Sequence, residues 1–342
     1  MIRHVLVARS DNDGDVLLAG PAIRAAAAGS ERVTLLAGPR GRGAAALLPG
    51  IDEVLVWRLP WIDPEPAPVA RDDVLALAAA IAERAPDQAV ILTSYHQSPL
   101  PLALVLRLAG VARIAAISAD YPGSLLDVRH RIDDDVHEVE RSLSLLDAAG
   151  FPLPAGDDGR LAVIPGRAPD GLPQGYVVVH PGASVPARAW DPLLHRDLVE
   201  RLRRAGHAVV VTGGPDETAL TRGVSGPPRP GVVDLGGRTT LAELAGVLAR
   251  ARAVVVGNTG PAHLSAAVGA PVAWLHADTI PAVRWHPWRV PYVRLTVPVP
   301  CAGCRARVCP VPGHPCIDEV PVASVVEAVE RLAGPAGIER AA

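Results

Sequence analysis

The chain alternates between short apolar runs rich in Val, Ile and Leu and longer segments in which Ala and Leu recur at helical spacing. Runs of the first kind predict buried strands, and segments of the second kind predict amphipathic helices. In the first half, strands are predicted at residues 4–8, 33–37, 54–56, 89–93 and 113–117, and helices at 16–28, 43–48, 72–84, 101–108 and 137–150. This alternation predicts a parallel sheet with helices on both faces.

A segment rich in Pro, Gly and Asp interrupts the pattern at residues 151–174 and is typical of a linker. The alternation then resumes, with strands predicted at residues 176–180, 209–212, 232–234, 254–256 and 272–275, and helices at 191–205, 215–224, 241–249 and 322–333. We therefore expect an α/β protein with two Rossmann-like, doubly wound domains, residues 1–170 and 171–342, facing across a cleft. Packing of the last helix, predicted at residues 322–333, against the first domain stays open as an alternative.

Composition narrows the class of protein. The 342 residues are 49% hydrophobic and 20% charged, which is typical of a globular protein, and the net charge of −3 gives no basic footprint for nucleic acid. No apolar run approaches the ~18 residues of a membrane span, and no secretory signal pattern is present. We expect a cytoplasmic protein whose membrane contact, if any, is peripheral at the inner face of the plasma membrane.

The strongest local motif lies at residues 254–267, which read VVVGNTGPAHLSAA. It predicts a buried strand, a tight glycine turn and a helix of small residues. Backbone N–H groups and the positive end of a helix dipole make such a turn an anion site, and Thr259 and His263 add side-chain donors. The same pattern also fits an ordinary strand-to-helix turn, and the motif alone leaves both interpretations open.

Further motifs occur in a fixed order along the chain. They are GDV followed by an Ala/Leu helix with Pro21, HPGAS followed by RAW at 180–190, VTGGPDE at 211–217, DLGGRTTLAELAGVL at 234–248 and GNTGPAHLSAA at 257–267. The segments 137–150 and 284–288 and a cysteine-containing tail accompany them. Each motif alone is weak, but in this order and spacing the chain resembles glycosyltransferase family 9, the ADP-heptose heptosyltransferases, over nearly its full length.

The resemblance implies a GT-B fold and inverting transfer of a heptose from an ADP-sugar donor to a hydroxyl acceptor, with no metal and no cofactor. In the family the acceptor is most often a lipid-linked core sugar of lipopolysaccharide. The chain has no Lys and is rich in Ala, Pro and Gly, which indicates a GC-rich coding sequence. Another glycan, or a small molecule of natural-product biosynthesis, therefore stays open as the acceptor.

The resemblance also assigns roles to individual residues. Asp15 matches the family's general base, which takes the acceptor proton, and Arg188 matches a basic position that pairs with the donor diphosphate. Glu217 matches a ribose contact, and Thr239 lies near the segment that lines the adenine pocket. The predicted donor site is completed by Gly14, Ser184, Gly213, Gly214, Asn258, Thr259, Gly260, Pro261 and His263.

Alternatives remain at several of these positions. The family usually has aspartate where this chain has Asn258, which puts the donor sugar in doubt and allows a GT-B transferase that uses another nucleotide sugar to build a secondary metabolite. A non-catalytic nucleotide-binding homologue is a further alternative, although retention of Asp15 and the phosphate turn speaks against it. Asp15 alone also fits a helix N-cap, with Asp11 and Asp13 as competing bases. His137, Glu138 and Arg141 are interpreted as the polar face of a helix.

Four cysteines lie within 16 residues, at Cys301, Cys304, Cys309 and Cys316. Four thiols this close can form a structural zinc site, but the spacings are not those of a paired zinc ribbon. Free thiols or a local disulfide are the favoured interpretation, with zinc as the minor one.

Overall fold

The chain forms two compact units that divide between Val163 and Ile164. The computed structural model describes residues 2–133 and 135–334. Each unit contains one six-stranded sheet in which every described pairing between neighbouring strands is parallel. The α/β class and the two Rossmann-like sheets predicted from the alternation are confirmed.

The first unit has the strand order β3-β2-β1-β4-β5-β6. Its strands are β1 (Ile2–Arg9), β2 (Ser30–Ala37), β3 (Glu53–Val56), β4 (Gln88–Ile91), β5 (Arg113–Ile117) and β6 (Val128–His130). Its helices are α1 (Asp13–Leu18), α2 (Gly20–Gly29), α3 (Arg42–Ala45), α4 (Arg71–Arg84), α5 (Leu100–Leu108) and α6 (Glu138–Ala148). A core cluster of this unit is built mainly from Leu and Ile side chains of these short elements, with smaller Ala and Val side chains between them.

The second unit has the strand order β12-β11-β10-β7-β8-β9. Its strands are β7 (Val177–His180), β8 (Val209–Val211), β9 (Val232–Asp234), β10 (Ala253–Gly257), β11 (Val272–Leu275) and β12 (Tyr292–Leu295). Its helices are α7 (Pro192–Arg204), α8 (Thr218–Ser225), α9 (Leu241–Ala249), α10 (Gly260–Ala267), α11 (Ala282–Trp285), α12 (Pro315–Asp318) and α13 (Val322–Ala333). The last helix, α13, packs on α7 and on strands β10 to β12.

The structure differs from the predicted elements at several places. The helix predicted at 16–28 is two helices, because Pro21 lies in the first turn of α2 and a proline there disfavours a continuous helix. The short strands β6 and β12 were not predicted, because Arg129 and Arg294 interrupt their apolar residues. None of the helices in the described ranges combines the length and the apolarity that a membrane crossing requires.

Each sheet has a point at which the chain changes the direction in which it adds strands. In the first unit this point lies between β1 and β4, and in the second unit between β7 and β10. Loops that leave neighbouring strands at such a point diverge and open a crevice at the carboxyl ends of the strands, where ligands of open α/β sheets bind. The relevant loops follow β1 and β4 in one unit, and β7 and β10 in the other.

Candidate active site

In the first unit, Asp15 lies just beyond β1. Helix α1 begins at Asp13 and its N-cap is Asn12, so Asp15 is the third helical residue and the N-cap alternative is wrong. The Asp15 side chain is 21% exposed, and its Oδ1 accepts a hydrogen bond of 3.0 Å from Nη2 of Arg9. Within residues 2–133 and 135–334, no hydrogen bond reaches its Oδ2. One carboxylate oxygen is thus held by Arg9, and the other has no partner among the described residues.

The two competing acids have structural partners. Asp13 Oδ1 accepts the backbone N–H of Ala44 at 2.8 Å, which ties α1 to α3. Asp11 is buried, accepts Nε2 of Gln97 at 2.6 Å and lies 3.0 Å from Nε of Arg9. Burial raises the pKa of Asp11, an effect that Arg9 opposes and the charge of Asp15 reinforces. Burial likewise raises the pKa of Asp13, and its hydrogen bond from Ala44 acts in the opposite direction.

The prediction for His137, Glu138 and Arg141 was wrong, since all three are buried. His137 is the N-cap of α6, and its Nδ1 accepts the backbone N–H of Val139 at 3.2 Å. Glu138 has a side chain that is 1% exposed, and its Oε2 lies 3.6 Å from Nη1 of Arg9. This part of α6 therefore faces the same buried guanidinium as Asp15.

In the second unit, the motif at residues 254–267 forms β10, a tight turn and α10. The helix begins at Gly260, three residues earlier than His263, so Gly260 and Pro261 belong to its first turn. Three polar side-chain atoms of this segment are buried and have no hydrogen-bond partner among the described residues: Nδ2 of Asn258, Oγ1 of Thr259 and Nδ1 of His263. Buried polar groups are nearly always paired, so unpaired ones at a helix N-terminus indicate a site for an anionic ligand.

Arg188 stands in the loop that follows β7 and comes close to this turn. Its carbonyl oxygen would lie 3.2 Å from a Cβ at Gly257, so the absence of a side chain there lets the two backbones approach. Burial, together with the positive charges of His286 and Arg188, lowers the pKa of His263 to about 4. His263 is therefore neutral near pH 7, and Arg188 supplies positive charge to its surroundings. Ser184, on the same loop, is exposed.

Glu217 lies between the turns that follow β7 and β8. Its Oε2 accepts the backbone N–H of Gly214 at 2.7 Å and lies 3.9 Å from Nε2 of His180. A Cβ at Gly182 would stand only 2.0 Å from its Oε1. A Cβ at Gly213 would meet Thr221 at 2.6 Å, which explains the second glycine in this region.

Thr239 is half-buried and directly precedes Thr240, the N-cap of α9. It lies in the loop that follows β9, at the same end of the sheet as the turns after β8 and β10. Gly14, by contrast, belongs to the first unit, where it is the second residue of α1, immediately before Asp15.

His276 was not predicted as a site residue, although it directly follows β11 and is fully buried. Gly257 and Leu275 are register partners in β10 and β11, so Asn258 and His276 lie side by side one residue beyond them. Nδ1 of His276 is 3.1 Å from Oδ1 of Asp278, and its Nε2 has no hydrogen-bond partner in the part of the chain that the structure describes. A single histidine after a strand gave no sequence signal; burial beside Asn258 reveals it.

The four cysteines are free thiols. Together with Asp278 and His314 they line one cavity of the second unit. Over residues 2–133 and 135–334, no group of three or more His, Cys, Asp or Glu side chains is arranged to hold a metal ion.

Comparison with known proteins decides the family. The model of glycosyltransferase family 9 (heptosyltransferase) matches residues 75–314, more than half of the chain. The chain belongs to glycosyltransferase family 9. The family resemblance predicted from the order of the motifs is thereby confirmed.

Curated relatives match over part of their length. The chain is 28% identical over 172 residues to lipopolysaccharide heptosyltransferase 3 of Escherichia coli, covering 47% of this chain and 48% of that protein. It is 33% identical over 178 residues to lipopolysaccharide heptosyltransferase 1 of Pseudomonas aeruginosa, covering 51% and 48%. The alignments thus span about half the length of the curated relatives.

Solved structures match over nearly the whole chain. A glycosyl transferase family 9 protein from Veillonella parvula has a TM-score of 0.76 at 14% identity, with 97% of both chains covered. ADP-heptose lps heptosyltransferase II of E. coli has a TM-score of 0.73 at 17% identity, covering 97% of this chain and 98% of that one. An E. coli heptosyltransferase with ADP-2-deoxy-2-fluoro heptose has 0.70 at 21%, covering 96% and 99%. At these identities the similarity shows the fold alone, and it confirms the GT-B prediction.

Proposed function

We propose that this family member transfers a heptose, or a closely related sugar, from ADP-heptose to a hydroxyl acceptor. The observation that carries the proposal is the set of buried, unpaired polar atoms on Asn258, Thr259 and His263 at the N-terminus of α10. A diphosphate supplies the acceptor oxygens that such groups lack. The solved relative described as bound to an ADP-sugar analogue has this same fold.

Arg188 and the α10 turn would stabilise the leaving ADP. The bond from the anomeric carbon to the diphosphate oxygen breaks in the reaction, and negative charge develops on that oxygen. Arg188 offers a guanidinium that can grip phosphate through two N–H groups, and its charge already reaches His263. Donors placed in advance where charge develops are the usual source of large rate acceleration.

Asp15 would act as the general base. As the acceptor oxygen attacks the anomeric carbon, its proton passes to Oδ2 of Asp15, the carboxylate oxygen that no described protein group occupies. One base and one stabilised leaving group are enough for a single displacement, which inverts the configuration of the anomeric carbon. Asp11 and Asp13, with their structural partners, are less suited to this role.

The acceptor is proposed by class. Relatives are named for lipopolysaccharide, which supports a lipid-linked core sugar. Such an acceptor would bring this protein to the inner face of the plasma membrane. Another glycan or a small-molecule alcohol would need no membrane, and turnover with each class of acceptor separates these cases.

Asn258 favours a second candidate, transfer of a different sugar from its nucleotide. The side chain is a neutral amide whose buried N–H donor has no partner among the described residues, and Asn258 directly follows β10 as His276 directly follows the neighbouring strand β11. An amide donates hydrogen bonds where a carboxylate accepts them, so a changed pattern of sugar hydroxyls would suit this pair. The reaction type stays the same.

Calorimetry and turnover test the proposal together. ADP and UDP are titrated into the protein, and release of ADP from ADP-heptose is then followed with lipid-linked core sugar, free core sugar or no acceptor. We expect ADP to bind more tightly than UDP, and ADP release to require an acceptor. Absence of ADP binding would overturn the donor assignment. Binding without acceptor-dependent release from ADP-heptose, but with release from another ADP-sugar, would favour the second candidate.

A further inference from the structure

Arg9 is the last residue of β1 and lies among three carboxylates. Its side chain is 2% exposed. Its Nε is 3.0 Å from Oδ2 of Asp11, its Nη2 is 3.0 Å from Oδ1 of Asp15, and its Nη1 is 3.6 Å from Oε2 of Glu138. Each nitrogen of one guanidinium therefore faces a different acid. The acids come from two segments far apart in the sequence, the α1 region and the start of α6.

The loop after β4 fixes this guanidinium further. Nη2 of Arg9 donates to Oγ of Ser94 at 2.9 Å. Gln97 accepts the backbone N–H of Ser94 at 2.9 Å and donates to Asp11 at 2.6 Å, so it ties the loop to the acid that also holds Arg9. One acid is enough to compensate a buried charge. Nη2 donates hydrogen bonds to both Asp15 and Ser94, and together these two bonds restrict the plane of the guanidinium.

We propose that Arg9 is a positioning residue for sugar transfer, which holds Oδ1 of Asp15 so that Oδ2 meets the acceptor hydroxyl. The inference rests on the proposed role of Asp15 as base. The guanidinium is planar and its N–H groups have a fixed geometry, so a carboxylate bound to it is restricted in rotation. Proton transfer depends on this orientation, because a base must come within hydrogen-bond reach of the proton that it takes.

The test is a double-mutant cycle of Arg9→Lys and Asp15→Asn, measured by kcat, KM for both substrates and calorimetric ADP affinity. Lysine keeps the charge and removes the planar fork. We expect Arg9→Lys to lower kcat about tenfold or more, while the KM for the donor and the ADP affinity stay within about twofold. We also expect the double variant to be no slower than Asp15→Asn, because Arg9 acts through that carboxylate.

Arg24→Lys is the matched control. Arg24 is half-buried in the first unit and makes a paired contact with Asp157, Nε to Oδ2 at 2.6 Å and Nη2 to Oδ1 at 2.8 Å. The Arg24→Lys variant should keep its kcat, because it removes the same planar fork away from Asp15. If Arg9→Lys is as active as this control, or if the effects of Arg9→Lys and Asp15→Asn multiply in the double variant, the positioning role is overturned.

The Ser94→Ala variant tests the positioning role of Arg9 even if Arg9→Lys does not fold. It removes the hydroxyl that accepts from Nη2 and leaves every charge in place. We expect kcat to fall several-fold with unchanged ADP affinity, and an unchanged kcat would contradict the proposal. The Asp15→Asn variant by itself tests the base, and full activity in that variant would contradict the proposed function. If Asp15→Asn loses kcat as expected but Ser94→Ala has an unchanged kcat, only the inference about Arg9 fails.

Discussion

The two units share one architecture, and they differ in the charged residues that lie at the point where the strand order of each sheet reverses. In the first unit, the switch point between β1 and β4 carries Asp11 and Asp15 around the buried guanidinium of Arg9. In the second unit, the switch point between β7 and β10 carries Arg188, neutral His263 and unpaired polar groups at a helix N-terminus. One location is suited to accept a proton and the other to hold an anion.

The comparison shows that a sheet's topology selects the place of a site but not its chemistry. Both crevices arise because loops diverge where the order of strands reverses. The residues in those loops then decide the function, which is the reason why fold similarity alone leaves function open. Variants that act on one crevice and spare the other are the direct way to test this division.

The largest expected effect is that of Asp15→Asn. Loss of the base should lower kcat by about 10²- to 10⁴-fold, because the acceptor must then attack without general base catalysis. ADP affinity, which we assign to the second unit, should stay within about twofold. Steady-state kinetics and calorimetry on the same preparation check both statements, and a parallel loss of ADP affinity would contradict the division of roles.

The next effect is a difference in the response of the two units to acid. His263 has a folded-state pKa of about 4, below the unfolded value of about 6.5, so the unfolded chain takes up the proton first and stability falls as pH drops through that window. For one fully buried histidine the loss between about pH 7 and pH 5 is about 2 kcal/mol. Urea unfolding of wild type and His263→Asn at both values measures it, and we expect a smaller loss in the variant.

Asp11 should respond in the opposite direction. Burial raises its pKa, so the folded chain binds the proton more readily than the unfolded chain, and this group stabilises the protein as pH falls. The Asp11→Asn variant should therefore lose more stability on acidification than wild type does. Equal pH responses of Asp11→Asn and His263→Asn would contradict the contrast between the two crevices.

Arg188→Gln should weaken ADP binding by about 10- to 100-fold, corresponding to about 2 kcal/mol for charge-assisted hydrogen bonds to phosphate. The effect should shrink at high salt. Arg201→Gln, on the surface of α7 where Arg201 pairs with Asp197 at 2.9 Å, removes the same charge from the same unit and serves as control. Equal losses in both variants would indicate a bulk charge effect instead of a contact.

The smallest effect is that of Thr259→Val, which removes one unpaired hydroxyl and keeps the shape of the side chain. We expect ADP affinity to fall about fivefold, or about 1 kcal/mol. Thr240→Val is the matched variant, since Oγ1 of Thr240 caps α9 by accepting the N–H of Glu243 at 3.2 Å. It should lower stability by about 1 kcal/mol and leave ADP affinity unchanged; the reverse pattern would remove Thr259 from the phosphate site.

The local pattern of apolar and polar residues predicted most of the fold, but it predicted only part of the candidate site. Runs such as residues 254–256 are too β-branched and apolar for anything but a buried strand. The edge strand β6 contains Arg129 and His130 and has no such run, so it was missed. The α10 turn was recognisable because its glycines, proline and donors are contiguous. The cluster around Arg9 was not, since Ser94 and Glu138 reach it only through folding and nothing in their neighbouring residues marks them.

The contact between Gly182 and the Glu217 carboxylate has a consequence for sequence variation. Every other amino acid at position 182 would place a Cβ into Oε1, so the backbone of the loop after β7 or the carboxylate would have to move. In urea unfolding of a set of variants at position 182, we expect each substitution to lower stability, because the Glu217 carboxylate must give up its hydrogen bond from Gly214. Shortening the opposing side chain to Asp should reduce the loss of stability caused by alanine at position 182, and this compensation would reveal steric exclusion as the cause.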